Sequence, residues 1–405
     1  MIENFTLPKT QTPVKNGQEK TDRIFGLDLM RAGSIVMVFL SHSMPINPLD
    51  AYFPFGWLGI GVEAFFVLSG FLIGRIILRT VLQPGITWER VKVFWVNRWL
   101  RTLPAYFVAL AVYYCFYSEM RNVIFYIFFA QNIITPAQGF FPHSWSLAVE
   151  EWFYLTFPLV LLVIASMTGR NAGSYRIFLT GIGVFLVVGM ITKSVYHWMY
   201  QHDLFTDLVR QKLLMPSWKT FVPPTGDWDG MRKMVMFRID AIAYGCLIAY
   251  LLEKQDLSHK VRVWLLALGG MLLLVDFQVI EHTIAGSNIN YFADVLLLPL
   301  FCVTFALMLP YAVSCPRPGR GLTRIITNIS QTSYSFYLMH FLVLDFVIKW
   351  YERNLATVSG MQGLVFLATY IFIYLIAYLM YKFVELPFMN YRKKLFPNSV
   401  HVSRS

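Results

Sequence analysis

The chain has 405 residues, of which 57% are hydrophobic, 17% aromatic and only 14% charged, with a mean hydropathy of +0.53. Soluble domains are not composed this way, so the chain reads as an all-α, polytopic membrane protein. A formal charge of +11 would suggest nucleic acid as the partner of a soluble protein, but these lysines and arginines gather at the ends of apolar stretches; the positive-inside rule accounts for them, and nucleic acid is excluded on that ground.

Residues 1–23 are polar, with Lys9, Lys15, Lys20 and Arg23, and have no apolar core of the kind a cleavable signal needs, so they read as a cytoplasmic tail. Phe25 to Met44 is then long enough to cross a bilayer as a helix, yet it carries Arg31 and His42. Three helical turns separate the two, which puts them on one face roughly 16 Å apart along the axis. An arginine in hydrocarbon costs at least ~2.5–3.5 kcal/mol, so such a face lines a protein interior or a wet cavity. The alternative is an arginine that snorkels to one interface and a histidine that caps near the other.

With the tail inside, span 2 (57–80) returns to Arg75 and Arg79, and an amphipathic helix with Trp88, Val91, Trp95 and Trp99 at helical spacing lies on the inner surface, bearing Arg98 and Arg101. Span 3 (102–117) leaves. Residues 123–134 are apolar but too short to cross comfortably, and read as re-entrant or interfacial. Spans follow at 145–166 and 177–192, then a long outer segment (193–236) with Trp198, Trp218 and Trp228, then spans at 237–253, 263–280, 293–312, 331–348 and 363–383. The scheme predicts about ten crossings with both termini cytoplasmic, a membrane domain over 24–388 and a basic tail over 389–405. Cys115, Cys246, Cys302 and Cys315 have neither a disulfide framework nor a zinc spacing, and no metal is expected.

Several ionisable groups fall inside the spans. Glu63, the adjacent Glu150 and Glu151, and His42 arrive at a similar depth on three helices, an acid/base constellation. At least one of the adjacent carboxylates is expected merely to hydrogen-bond a neighbouring helix. Asp240 reads as a structural partner of Arg238, and His340 sits mid-span, where packing and catalysis are both open. Arg98 and Arg101, one turn apart, suit a phosphate-bearing ligand at the inner face, although topology signalling also explains such arginines.

The motifs come in a fixed order: Leu27-Asp28, Arg31 and His42; Gly61-Val-Glu-Ala-Phe-Phe-Val-Leu-Ser-Gly-Phe-Leu72; Phe94, Arg98-Trp-Leu-Arg101 and Pro104; His143-Ser-Trp-Ser-Leu-Ala-Val-Glu150, Phe153-Tyr154 and Pro158; Arg238-Ile-Asp-Ala and Gly245; Tyr334, Tyr337-Leu-Met-His340; and Glu385-Leu-Pro387. In this order the chain resembles the acyltransferase 3 family of bacterial membrane O-acyltransferases, from about Arg23 to Pro387. It departs from the family's pattern at Glu63, where many relatives carry Asp, and at Trp152, where Gln is common. The resemblance implies a ten-helix domain of the bacterial inner membrane that takes an acyl group, usually acetyl, from cytoplasmic acyl-CoA and delivers it to a hydroxyl, commonly on an extracytoplasmic or lipid-linked glycan. It is expected to be a stand-alone form without an appended extracytoplasmic esterase-like domain.

On the same resemblance, Arg31 and His42 match an essential arginine–histidine pair, and Arg98 and Arg101 match a cytoplasmic basic motif. The expected donor site is Arg98 and Arg101 with Arg75 and Ser69, holding the nucleotide phosphates, while Arg31 orients the arm or the thioester carbonyl. His42 is the expected general base, with Glu150 or Glu63 orienting its ring. His143, His340, Glu151 and Trp145 are further candidates. Two alternatives differ in kind: acylation of a small secondary metabolite, and a proton-coupled transporter or exporter relaying protons through His42 and the carboxylates. The absence of an evident inverted repeat counts against the transporter.

Overall fold

The computed structural model describes residues 23–50, 52, 55–83, 85–117, 123–133, 141–168, 173–202, 231–285, 291–355 and 360–396. The polar tail before Arg23, the last residues of the basic C-terminal tail, and Trp218 and Trp228 of the expected outer segment lie outside them. The described residues form helices and turns with no strand: α1 (Phe25–His42), α2 (Gly61–Ile76), α3 (Trp88–Phe116), α4 (Val123–Ile127), α5 (Ser144–Thr168), α6 (Ser174–Gln201), α7 (Val235–Arg238), α8 (Ala241–Lys254), α9 (His259–Ala285), α10 (Leu297–Ser314), α11 (Arg320–Asn354), α12 (Met361–Met380) and α13 (Leu386–Leu395).

Nine helical stretches among the described residues are long and apolar enough to cross a membrane. The tenth long helix is α11, whose 35 residues span about 50 Å at 1.5 Å per residue but are too polar to stand out by hydropathy. Its polar residues face inward, with Ser330, Thr332, Ser333, Ser335 and His340 all buried, and α1 packs along it. The centre of the bundle is α2, with 72% of an 18-residue apolar stretch buried, while α9, at 11% of such a stretch, lies at the edge. A membrane helix that is apolar all round and little buried is one that faces lipid.

Two expectations change. The inner-surface helix and span 3 are one continuous helix, α3, capped at its start by the Thr87 hydroxyl accepting from the Arg90 amide. No residue between Trp88 and Leu103 breaks it, and Pro104 sits within it. Its basic half does not lie flat on a surface, because Val91, Phe94 and Trp95 are buried and the Trp95 indole donates to the Tyr154 carbonyl at 3.0 Å. In place of an Arg238–Asp240 pair, Asp240 binds Lys193 at 2.6 Å and Arg238 binds Glu63 at 2.9 Å. The expected non-crossing segment is the five-residue α4 followed by turns. It is tied into the bundle by Tyr106 donating to the Tyr126 carbonyl at 2.8 Å and Trp152 donating to the Phe129 carbonyl at 2.9 Å, which is how irregular backbone persists away from water.

A close helix approach joins α2 and α8, at Gly70 and Gly245. A Cβ on Gly70 would lie 1.9 Å from the Ile242 carbonyl oxygen, and one on Gly245 1.9 Å from that of Val67. Small residues let backbones touch in membrane bundles. Gly70→Val is therefore expected to lower the melting temperature in detergent and the yield of monodisperse protein, whereas Gly183→Ala, with nothing within 4 Å of the added carbon, leaves both unchanged. Equal behaviour of the two variants would show that the crossing tolerates a side chain.

Candidate active site

Between α1, α2, α3, α5, α11 and the segment that leads into α13 lies a cavity of about 140 Å³, and Arg31, Ser69, Arg98, Arg101 and Glu150 all line it. Glu150 is its hub. One carboxylate oxygen accepts from the Ser69 hydroxyl at 2.9 Å and the other from the Tyr154 hydroxyl at 3.0 Å. Arg98 approaches that second oxygen at 3.7 Å, donates to the Tyr154 hydroxyl at 2.7 Å and lies over the Tyr154 ring, 4.2 Å from its centre.

Arg31 and Arg101 differ from Arg98. Both are partly buried in the wall of the same cavity, and neither hydrogen-bonds nor ion-pairs with another described residue. Two cations without a direct partner in one cavity wall favour an anion there, beside the carboxylates of Glu150 and Glu385 that share the wall. A second cavity of about 230 Å³, bounded by Phe94, Asn97 and Arg392, shares Arg98 and Arg101 with the first, so the two arginines stand where the spaces adjoin.

His42 is not in the cavity wall. The cavity stops at Ser146 and Tyr337, whose hydroxyls are 2.7 Å apart. Tyr337 also donates to the His143 carbonyl at 3.1 Å. Past this pair three imidazoles meet. His42 Nε2 is 3.0 Å from His143 Nε2, and His42 Nδ1 is 3.2 Å from His340 Nε2. His143 and His340 are buried and His42 partly so, and one nitrogen from each ring lies within 4.8 Å of the others, close enough to share a metal ion. The expectation that no metal binds rested on spacing along the chain, and spacing does not register a cluster drawn from α1, α11 and the turn before α5.

The other expected site residues fall elsewhere. Glu63 does not orient His42: its two oxygens are held by Arg232 at 3.0 Å each and by Arg238 at 2.9 Å. Glu150, bound to Ser69 and Tyr154, does not orient it either, so the ring's partners are two histidines and the Val38 backbone where a carboxylate was expected. Glu151 accepts from Thr102 at 3.0 Å and is the carboxylate that ties α5 to its neighbour. Trp145 is buried with its ring near Phe66 and Arg232. Arg75 lies over Phe71, 5.7 Å from the ring centre, outside the lining of the first cavity. Ser146, Ser330, Tyr334 and Tyr337 were not singled out for the site. Their signal in the sequence is the run Ser330, Ser333, Tyr334 and Tyr337, a polar face at i, i+3, i+4 and i+7.

Residues 24–382 match a family described as an acyltransferase domain. A Staphylococcus aureus (strain COL) protein named "Putative O-acetyltransferase" is 26% identical over 95% of this chain and 61% of its own length. "O-acetyltransferase OatA" of Staphylococcus aureus (strain NCTC 8325 / PS 47) is 24% identical over 92% of this chain and 57% of its own length. The chain thus spans about 60% of the length of these curated relatives. No solved structure matches.

Removing one partner of a buried ion pair strands the other, at a cost of about 3–5 kcal/mol. Glu63→Ala strands two guanidiniums and is expected to abolish recovery of folded protein from membranes, whereas Glu150→Ala, at a cavity wall, leaves a folded protein. Size-exclusion profiles in detergent distinguish them; a well-folded Glu63→Ala protein would remove Glu63 from the framework.

Proposed function

The chain belongs to this acyltransferase family, and on that premise we propose that it moves an acyl group, acetyl above others, from cytoplasmic acyl-CoA to a hydroxyl of an extracytoplasmic or lipid-linked glycan in the bacterial inner membrane. The observation that carries the proposal is the pair Arg31 and Arg101: two partly buried cations, without a hydrogen-bonding partner among the described residues, in one cavity. A diphosphate-bearing thioester supplies an anion that can bond them directly and has a neutral arm slender enough to enter between helices.

In this mechanism Arg98 and Arg101 hold the phosphates where the two cavities adjoin, and Arg31 orients the arm or the thioester carbonyl. The arm runs toward Ser146 and Tyr337, and the thioester meets His42 when that hydroxyl pair parts. His42 Nε2 takes the proton of the acceptor hydroxyl as its oxygen attacks the thioester carbon; the carbon–sulfur bond breaks, and the CoA thiolate leaves and is protonated. A histidine suits the step because its neutral form is a good base near neutrality. A hydroxyl acceptor is favoured by the relatives' O-acetyltransferase names, and a glycan among hydroxyls by the predicted outward position of the histidines.

His42→Ala should lower acetyl transfer by about 10²–10⁴-fold while the protein stays folded in the membrane, measured as acetyl label passing from acetyl-CoA into the envelope glycan fraction. Arg101→Ala should raise the KM for acetyl-CoA about tenfold or more, the value of a charge-assisted hydrogen bond, with a smaller change in kcat. Purified protein that binds no acetyl-CoA would overturn the proposal in favour of a transporter.

A further inference from the structure

We propose that His340 is the positioning residue of the base, holding His42 in the one tautomer whose Nε2 carries a lone pair, and that His143 stands where the acceptor hydroxyl comes to lie. The inference rests on the reading of His42 as base.

The Tyr337 carbonyl can only accept, so His340 Nδ1, 2.7 Å away, carries the hydrogen. In a neutral ring its Nε2 is then the lone pair, and it faces His42 Nδ1 at 3.2 Å. His42 Nδ1 must therefore donate, which leaves His42 Nε2 as an acceptor. His143 Nε2, 3.0 Å from it, must in turn donate, and that puts the lone pair of His143 on Nδ1. His143 Nδ1 is the one nitrogen of the three rings that is buried with no hydrogen-bond partner. The chain of assignments closes without stranding an N–H, and its loose end is an acceptor.

The two flanking rings are held differently. His340 is bonded at both nitrogens and is 0% exposed. His143 is bonded at one, with the Phe341 ring 4.3 Å from its own. His143 is thus the ring free to turn aside, and an acceptor hydroxyl in its place donates to His42 Nε2 as the His143 N–H does now. His340 stays and accepts from His42 Nδ1 as charge develops, the place a carboxylate takes in a Ser-His-Asp arrangement. A metal would need one nitrogen of each ring aimed at one point, whereas His143 and His340 address opposite nitrogens of His42.

The test compares His340→Gln, His340→Asn and His340→Leu with wild type and His42→Ala in lipid nanodiscs. The readouts are kcat and KM for acetyl-CoA with the envelope glycan fraction as acceptor, and bound zinc by mass spectrometry. A glutamine amide oxygen reaches the position of Nε2, an asparagine's is one bond short, and leucine has none. Gln is expected to keep kcat within about tenfold, Asn and Leu to lose about 10²-fold or more, all with KM changed less than about twofold. Three variants lowered alike, or a Leu variant near wild-type kcat, would overturn the inference, as would one equivalent of zinc in wild type that is lost in His340→Gln. Should the Leu protein not fold, the Gln–Asn comparison decides alone. Activity that survives His42→Ala would overturn the base itself, an outcome distinct from activity that needs His42 but ignores His340.

Discussion

Hydrocarbon offers nothing to answer a charge, so every ionisable group carried into the bundle must find its partner within the protein. Glu63 is shared by Arg232 and Arg238, Lys193 is bound to Asp240, and Asp28 takes Arg23 and the Ser330 hydroxyl. Each pairing fixes which helices are neighbours: α2 with the segment entering α8, α6 with the start of α8, and α1 with α11. Against this background Arg31 and Arg101 stand apart, since they line a cavity with carboxylates nearby but have no direct bond to one among the described residues. The same constraint that builds the framework therefore sets the two cavity-lining cations off from the directly bonded ones.

Most of the fold was legible because hydropathy and helix length answer to the bilayer directly. The apolar spans and the short segment at 123–134 needed no tertiary information. The continuity of α3 did. Its amphipathic first half looks like a helix lying on a membrane surface, and only the seat that α5 offers to Trp95 shows that the chain runs straight on. α11 was expected as a span at 331–348 despite its polar residues, and what the sequence left open was their use: Ser330, Ser333, Tyr334 and Tyr337 are cavity wall.

The site was legible in its members more than in its partnerships. Placing His42, Glu63 and Glu150 at one depth used one coordinate only, and rotation about each helix axis is another. Adjacent residues on a helix point about 100° apart, so of Glu150 and Glu151 only the first faces the cavity and the second is spent on Thr102. Glu63 was lost to the site by the same coordinate, turned toward two arginines whose distance in sequence hid them. The three-histidine cluster was invisible as a cluster, because its members come from positions 42, 143 and 340 and no local spacing joins them.

Tyr337 belongs to both halves of the site. Its hydroxyl, with that of Ser146, closes the cavity, and its carbonyl holds His340. In the proposed reaction the passage for the thioester and the alignment of the base both depend on one residue of α11. A shift of α11 that parts the hydroxyls without breaking the carbonyl bond must carry His340 with it, and His340 is bonded to the base. In the proposed reaction, opening the passage and adjusting the base are then a single movement, so an acyl donor that forces its way to the hydroxyl pair also acts on the ring that will take the acceptor's proton.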